Sequence, residues 1–160
     1  MEAALQALSE WPLAAALRRS GVGYPLLNAA HILAIGLLIG AIATLDLRLL
    51  GAFRAHPIAE LGPPLQRVAA AGLLLAVATG ALLFSTRPVA YAENPAFLAK
   101  LGLVGLGLIN VLGLRCNPHW RRAVDGADGR VHGSVRAAAL VSLLVWVGAV
   151  VAGRWIGFLQ

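Results

Sequence analysis

Three ionisable side chains stand where this sequence is otherwise apolar, and they are where it could do chemistry. His31 lies inside "LNAAHILAIGLLIG", Asp46 closes the same run, and Lys100 opens "KLGLVGLGLINVLG". An imidazole in such surroundings can ligate a metal or a haem iron, relay a proton, or satisfy itself on a neighbouring helix. Asn28 precedes His31 by three residues and so shares its face if the run is helical. Two imidazoles at one level would make a bis-histidine haem. However, His56, His119 and His132 all fall on the other side of the apolar runs, leaving His31 without such a partner. A haem b here needs a second chain, a non-histidine axial ligand, or iron with one axial ligand. Copper is the other candidate at His31. A copper(I) site of thioethers and thiolates is excluded within one chain, because Met1 and Cys116 are the only residues of their kinds. Zinc needs three or four converging ligands, and the loop histidines show no ligand spacing, so they read as solvated.

The elements that must position these groups follow from composition. Hydrophobic residues make up 59% and charged residues 12% of the 160 positions. Soluble domains average about 45–50% and about 25%, so the chain belongs to the membrane class. Four runs approach the roughly 20 apolar residues that a span requires. They cover about 24–47, 65–84, 96–114 and 135–156. The segments "GAFRAHPIAELGPP", "STRPVAYAENP" and "RCNPHWRRAVDGADGRVHG" read as connections, from their prolines, Asn-Pro and Asp-Gly. Residues 1–20, rich in leucine and alanine and closing on Arg18 and Arg19, read as a short interfacial helix. The start is acidic, "MEAALQALSE", and does not read as a cleaved signal. The expected fold is all-α: one integral membrane domain, an antiparallel bundle of four transmembrane helices. Gly36 with Gly40, and Gly102, Gly105, Gly107 and Gly113, are the expected close-packing positions.

Orientation follows from the basic residues. Arg18, Arg19, Arg87, Lys100 and Arg154 fall on one side of the bilayer. Arg48, Arg54, Arg67, Arg115, Arg121, Arg122, Arg130 and Arg136 fall on the other. The richer side is cytoplasmic by the positive-inside rule, which puts both termini outside. Tyr24, Tyr91, Trp155 and Trp120 then fall at the interfaces. The net charge of +6 is topological on this reading. Nucleic acid is not an expected partner, because the chain offers no folded basic face in water.

Depth sorts the polar residues into two layers. The outer layer holds His31, Asn28, Thr79 and Lys100, with Tyr91 and Glu93 in the loop above and Trp146 and Arg154 approaching from the fourth span. The inner layer holds Asp46, Arg48, Asn110 and Arg136, with Ser142. Asp46 is expected to pair with Arg48, Arg115 or Arg136, as a structural clamp at the membrane edge. No phosphate loop, nucleophile elbow or HExxH motif is present, so the sequence assigns no enzyme activity.

"HILAIGLLIGAIATLDLRLLG" carries a resemblance. With "NPAFLAKLGL", Asn110 and "SLLVWVGAVVAGRWI", it resembles an uncharacterised family of small bacterial four-helix membrane proteins. That family is distantly similar to the copper-resistance D membrane domain. The resemblance implies the fold and a membrane location and brings no settled activity. In its pattern a histidine ends the third helix soon after the asparagine; here Arg115 stands near that place and His119 is displaced. Two functions are therefore expected as alternatives. One is a redox, metal- or haem-handling module centred on His31, working with a redox partner or as a homo-oligomer. The other is a non-catalytic anchor or scaffold in the lipid bilayer.

Overall fold

The structure is a computed structural model that describes residues 2–125 and 131–159. Arg130, counted above for orientation, lies outside them. Eight α-helices occur in this order among the described residues: α1 (Glu2–Ser9), α2 (Pro12–Arg19), α3 (Gly23–Leu50), α4 (Ile58–Thr86), α5 (Pro88–Ala92), α6 (Pro95–Cys116), α7 (Pro118–Val124) and α8 (Gly133–Trp155). A 3-10 turn, Ile156–Phe158, follows. α3, α4, α6 and α8 are long and apolar enough to cross a membrane. Leu33, Leu74, Ile109 and Leu144 stay 66–71% exposed on their outward faces. Water would penalise that surface, whereas lipid does not. The chain is a multi-pass membrane protein.

Helix ends are written locally. Asn94 and Asn117 each precede a proline, and each caps the helix that the proline opens. The Asn94 Oδ1 accepts from the Ala96 and Phe97 N–H groups at 3.0 and 3.3 Å. The Asn117 Oδ1 accepts from the His119 N–H at 3.0 Å. Asparagine supplies the acceptor that the first turn lacks, and proline at the first position gives up no needed donor. At the other end of α3, Gly51 adopts a left-handed φ of 116°. The Ala52 N–H then reaches back to the Leu47 carbonyl at 2.9 Å. This is a Schellman stop, which glycine enters without steric cost. The stretch Asp-Leu-Arg-Leu-Leu-Gly thus reads as a helix end with its stop signal.

Three elements depart from the sequence expectation. α4 begins at Ile58 and runs through Pro63 and Pro64, where a connection was expected. Each proline removes one intrahelical bond, but these stand within the first two turns, where water at the membrane surface can serve the freed carbonyls. The expected N-terminal helix is two helices, broken at Trp11. Trp11 precedes Pro12, and a residue before proline is pushed to the extended conformation it takes here, ψ 133°. The third connection contains α7. Its Trp120 and Ala123 are buried with Leu45, Leu49, Ile58, Val135 and Ala139. Trp120 therefore plugs the bundle end and is not part of an interfacial aromatic belt.

The long helices pack in the order α4, α3, α8, α6; the backbones of α4 and α6 do not approach one another. The bundle is open along that side. α1, α2 and α5 gather at one end, called here the terminal end. α7 closes the other, the distal end. The expected glycines do not make most of these contacts. Gly36, Gly40, Gly102, Gly105 and Gly113 have open space where a side chain would go. Gly72 makes the closest approach instead: a Cβ there would lie 2.6 Å from the Leu38 backbone nitrogen. Among the expected positions, Gly107 alone is a contact, lying flat against the Trp146 indole.

Candidate functional site

At the terminal end, α3 turns His31 toward α4. The His31 Nδ1 lies 2.9 Å from the Thr79 Oγ1. The Thr79 hydroxyl has one hydrogen, and the Leu75 carbonyl takes it at 2.6 Å. Thr79 is left only lone pairs to offer, so His31 must donate from Nδ1. The neutral ring then carries its own lone pair on Nε2. Thr79 thereby acts as an orienting hydrogen-bond partner, of the kind that fixes the tautomer of ligating histidines.

Gly80 makes room for this ring. A Cβ at Gly80 would lie 3.0 Å from the His31 Cε1. Lys100 comes from α6, within electrostatic reach of the same imidazole. Its aliphatic stem lies over Gly153 of α8, whose Cβ would meet the Lys100 Cδ at 3.4 Å. Lysine stems commonly cover apolar surface while the ammonium stays in a polar place. All four long helices thus contribute here: His31, Thr79 with Gly80, Lys100 and Gly153. Toward the terminal end, Phe84, Tyr91 and Phe97 form an aromatic group with centroids 5.4–6.1 Å apart. Phe84 and Phe97 stack at 5.5 Å and bridge the α4–α6 opening.

Not every expected outer residue joins. Asn28 is exposed and makes no hydrogen bond to His31. It lies one turn nearer the terminal end, and its exposed side chain faces away from α4. Glu93 is exposed, beside Arg87 and Asn94 in a surface depression of about 410 Å³. Trp146 packs on Gly107, seven residues deeper along α6 than Lys100, at about mid-bundle. Arg154 places its guanidinium over the Phe158 ring at 4.9 Å.

The distal layer corrects the expected ion pair. Asp46 is 4% exposed and points into the bundle. Its polar partner is the Ser142 hydroxyl of α8, and its Oδ2 has no hydrogen-bond partner. The arginines go elsewhere. The Arg48 Nε donates to the His56 carbonyl at 2.6 Å. The Arg136 Nη2 donates to the Leu50 carbonyl at 3.4 Å. Arg115 is exposed on α6, away from α3. The reason is geometric: Arg48 is two residues on from Asp46 and so faces the other way. Arg136 lies six residues before Ser142, about 9 Å nearer the membrane surface. Asn110 completes the layer by donating from Nδ2 to the Ala138 carbonyl at 3.0 Å. Asp46 and Asn110 therefore close on successive turns of α8, from α3 and from α6.

The loop histidines make no metal centre. His119 and His132 stack face to face, with ring centroids 3.7 Å apart and planes 4° from parallel. Parallel rings aim their in-plane lone pairs side by side, not at one ion. The His132 Nδ1 is already taken by the Ser134 N–H at 3.2 Å, as the cap of α8. No group of three or more histidine, cysteine, aspartate or glutamate side chains could hold a metal among the described residues.

A model for DUF6644, a family of unknown function, matches residues 17–159. The chain belongs to that family. No curated protein and no solved structure matches it. The part of this DUF6644 chain that matches runs from the last turn of α2 to the 3-10 turn, and so contains both polar layers. Within the DUF6644 match lie the residues that sequence reasoning missed: Gly72, Gly80 and Gly153. Gly72 and Gly80 flank Ala76 at four-residue spacing and Gly153 follows Ala149 at the same spacing, so the signal that could have found them is a small-xxx-small pattern that includes alanine. Only the side chain or backbone opposite shows what each glycine admits.

Proposed function

We propose that this DUF6644 protein binds haem b through His31 and serves as a small electron-transfer module of the bacterial inner membrane. The observation that carries the reading is the Thr79 contact at 2.9 Å, which leaves the Nε2 lone pair to a ligand. The ligand count then discriminates between cofactors. A bare copper or zinc ion asks the protein for several converging donors, and among the described residues no further histidine, cysteine or carboxylate gathers with His31. A porphyrin supplies four nitrogens itself, so one imidazole can suffice as the protein's ligand. The Lys100 ammonium suits a propionate. In this reading both termini are outside, and electrons pass to a partner protein at the terminal end.

The test is the absorption spectrum of protein purified in detergent from haem-replete cells. A Soret band is expected in the native chain and its loss in His31→Ala, with the four-helix fold retained by circular dichroism. A band of equal strength in His31→Ala, or no band at all with full expression, overturns the reading.

A second reading, the non-catalytic anchor, is favoured by one observation. Gly36 and Gly40 face outward with nothing near them, as a helix would that meets another chain closely. A haem-free protein that co-purifies with a defined membrane partner or with a second copy would support it.

A further inference from the structure

The open side of the bundle holds a second polar feature, remote from His31. At the distal end, Pro63, Gln66, Arg67 and Ala70 of α4 face Arg115 of α6 across a cleft of about 300 Å³. Both arginines are exposed. Three other distal arginines are engaged, Arg48 with the His56 carbonyl, Arg54 with the Gly51 carbonyl and Arg136 with the Leu50 carbonyl, while Arg121 and Arg122 are exposed on α7, outside the cleft lining. Neither Arg67 nor Arg115 makes a hydrogen bond or ion pair among the described residues. No carboxylate lines the cleft. Two like charges from two helices whose backbones do not touch therefore face one space with nothing between them to neutralise them.

The cleft continues into apolar surface. Leu74, one turn beyond Ala70 on α4, is 71% exposed. On α6, Leu112 and Leu108 lie three and seven residues back from Arg115, on its face of the helix, and are 61% and 38% exposed. A pair of guanidinium groups at the end of the helices, with an apolar furrow leading inward, matches one kind of molecule. It matches a phosphate with hydrocarbon chains attached. Arginine forks suit phosphate oxygens in particular, and basic pockets between membrane helices are where anionic headgroups bind.

We propose that the α4–α6 cleft is a binding site for an anionic phospholipid, with the headgroup phosphate held between Arg67 and Arg115 and Gln66 beside it. An acyl chain lies along Leu74, Leu108 and Leu112. The lipid seals the side of the bundle that the protein leaves open. This site is independent of haem and of His31.

The test uses the whole chain, reconstituted with phosphatidylglycerol, cardiolipin or phosphatidylcholine and read by native mass spectrometry for retained lipid. Phosphatidylglycerol or cardiolipin should be retained in preference to phosphatidylcholine. Apparent affinity should fall about fivefold for Arg67→Gln or Arg115→Gln and about thirtyfold for the pair. Arg121→Gln, a distal arginine outside the cleft, should bind as the native chain does. Equal retention by the native chain and the double variant overturns the proposal, as does an equal loss in Arg121→Gln. Displacement of the lipid by millimolar inorganic phosphate would make free phosphate the ligand, and the lipid assignment would fail.

Discussion

At the scale of single residues, two side chains are set by what their neighbours can donate. His31 is oriented because Thr79 has already given its one hydrogen to Leu75. Asp46 is oriented by Ser142 and keeps one oxygen unpartnered. The second case gives a stability prediction. Ser142→Ala strips the Asp46 carboxyl of its partner, and an unserved buried polar group costs about 1–3 kcal/mol. Asp125→Ala, at an exposed position, should change stability by less than about 0.5 kcal/mol. Thermal unfolding in one detergent compares the two; equal melting temperatures would mean that the Ser142 contact contributes nothing. The sequence placed Asp46 correctly in the bundle, because an aspartate at the end of an apolar run has few other places to go. It misassigned the partner. Charge suggested arginine, while helix phase turned Arg48 away and rise carried Arg136 to the surface.

Among elements, the spans were legible and the contacts between them were not. Hydropathy marks a helix that meets lipid on most of its surface, so four runs stood out whatever their packing. Proline was misleading at Pro63 and Pro64, because its cost depends on whether water can reach the freed carbonyls. Glycine was misleading in a different way. A glycine pair spaced by four is conspicuous in sequence, but Gly36 and Gly40 turn outward, whereas Gly72, spaced by four from an alanine, lets α3 and α4 meet. The two kinds of glycine should respond oppositely to a single methyl. Gly72→Ala puts that methyl 2.6 Å from the Leu38 nitrogen, which the helices can relieve only by separating, at about 1–3 kcal/mol. Gly40→Ala meets open space and should be neutral or stabilising by up to about 1 kcal/mol, from helix propensity alone. Thermal unfolding of both variants checks this, and a loss at Gly40 as large as at Gly72 would contradict the assigned contact.

The whole molecule is polarised from end to end. The distal end carries the larger share of arginine, the α7 plug and the buried apolar cluster around Trp120. The terminal end carries His31, Lys100 and the aromatic bridge. The proposed orientation, with the distal end cytoplasmic, is checked by fusions to the C-terminus. An alkaline phosphatase fusion should be active and a fluorescent protein fusion dark; the reverse would put His31 in the cytoplasmic half. The outer layer was partly legible from depth alone, since residues at matching distances from helix ends come to one level. Depth could not tell that Asn28 faces away, which depends on helix rotation about its axis.

The order α4, α3, α8, α6 also has a consequence for how the chain is made. Helices adjacent in sequence, α3 with α4 and α6 with α8, are also the pairs in closest contact. Each pair can therefore zip together as it leaves the ribosome, with its mate already beside it. One late event remains, the docking of two finished hairpins along α3 and α8. The seam itself is mainly apolar, Leu45 and Leu49 packing with Val135 and Ala139, and its polar contacts are Asp46 to Ser142 and Arg136 to the Leu50 carbonyl. They favour a single register between two otherwise greasy surfaces that could slide. On this view the buried aspartate acts as an alignment mark, read once during biogenesis and kept for the life of the protein.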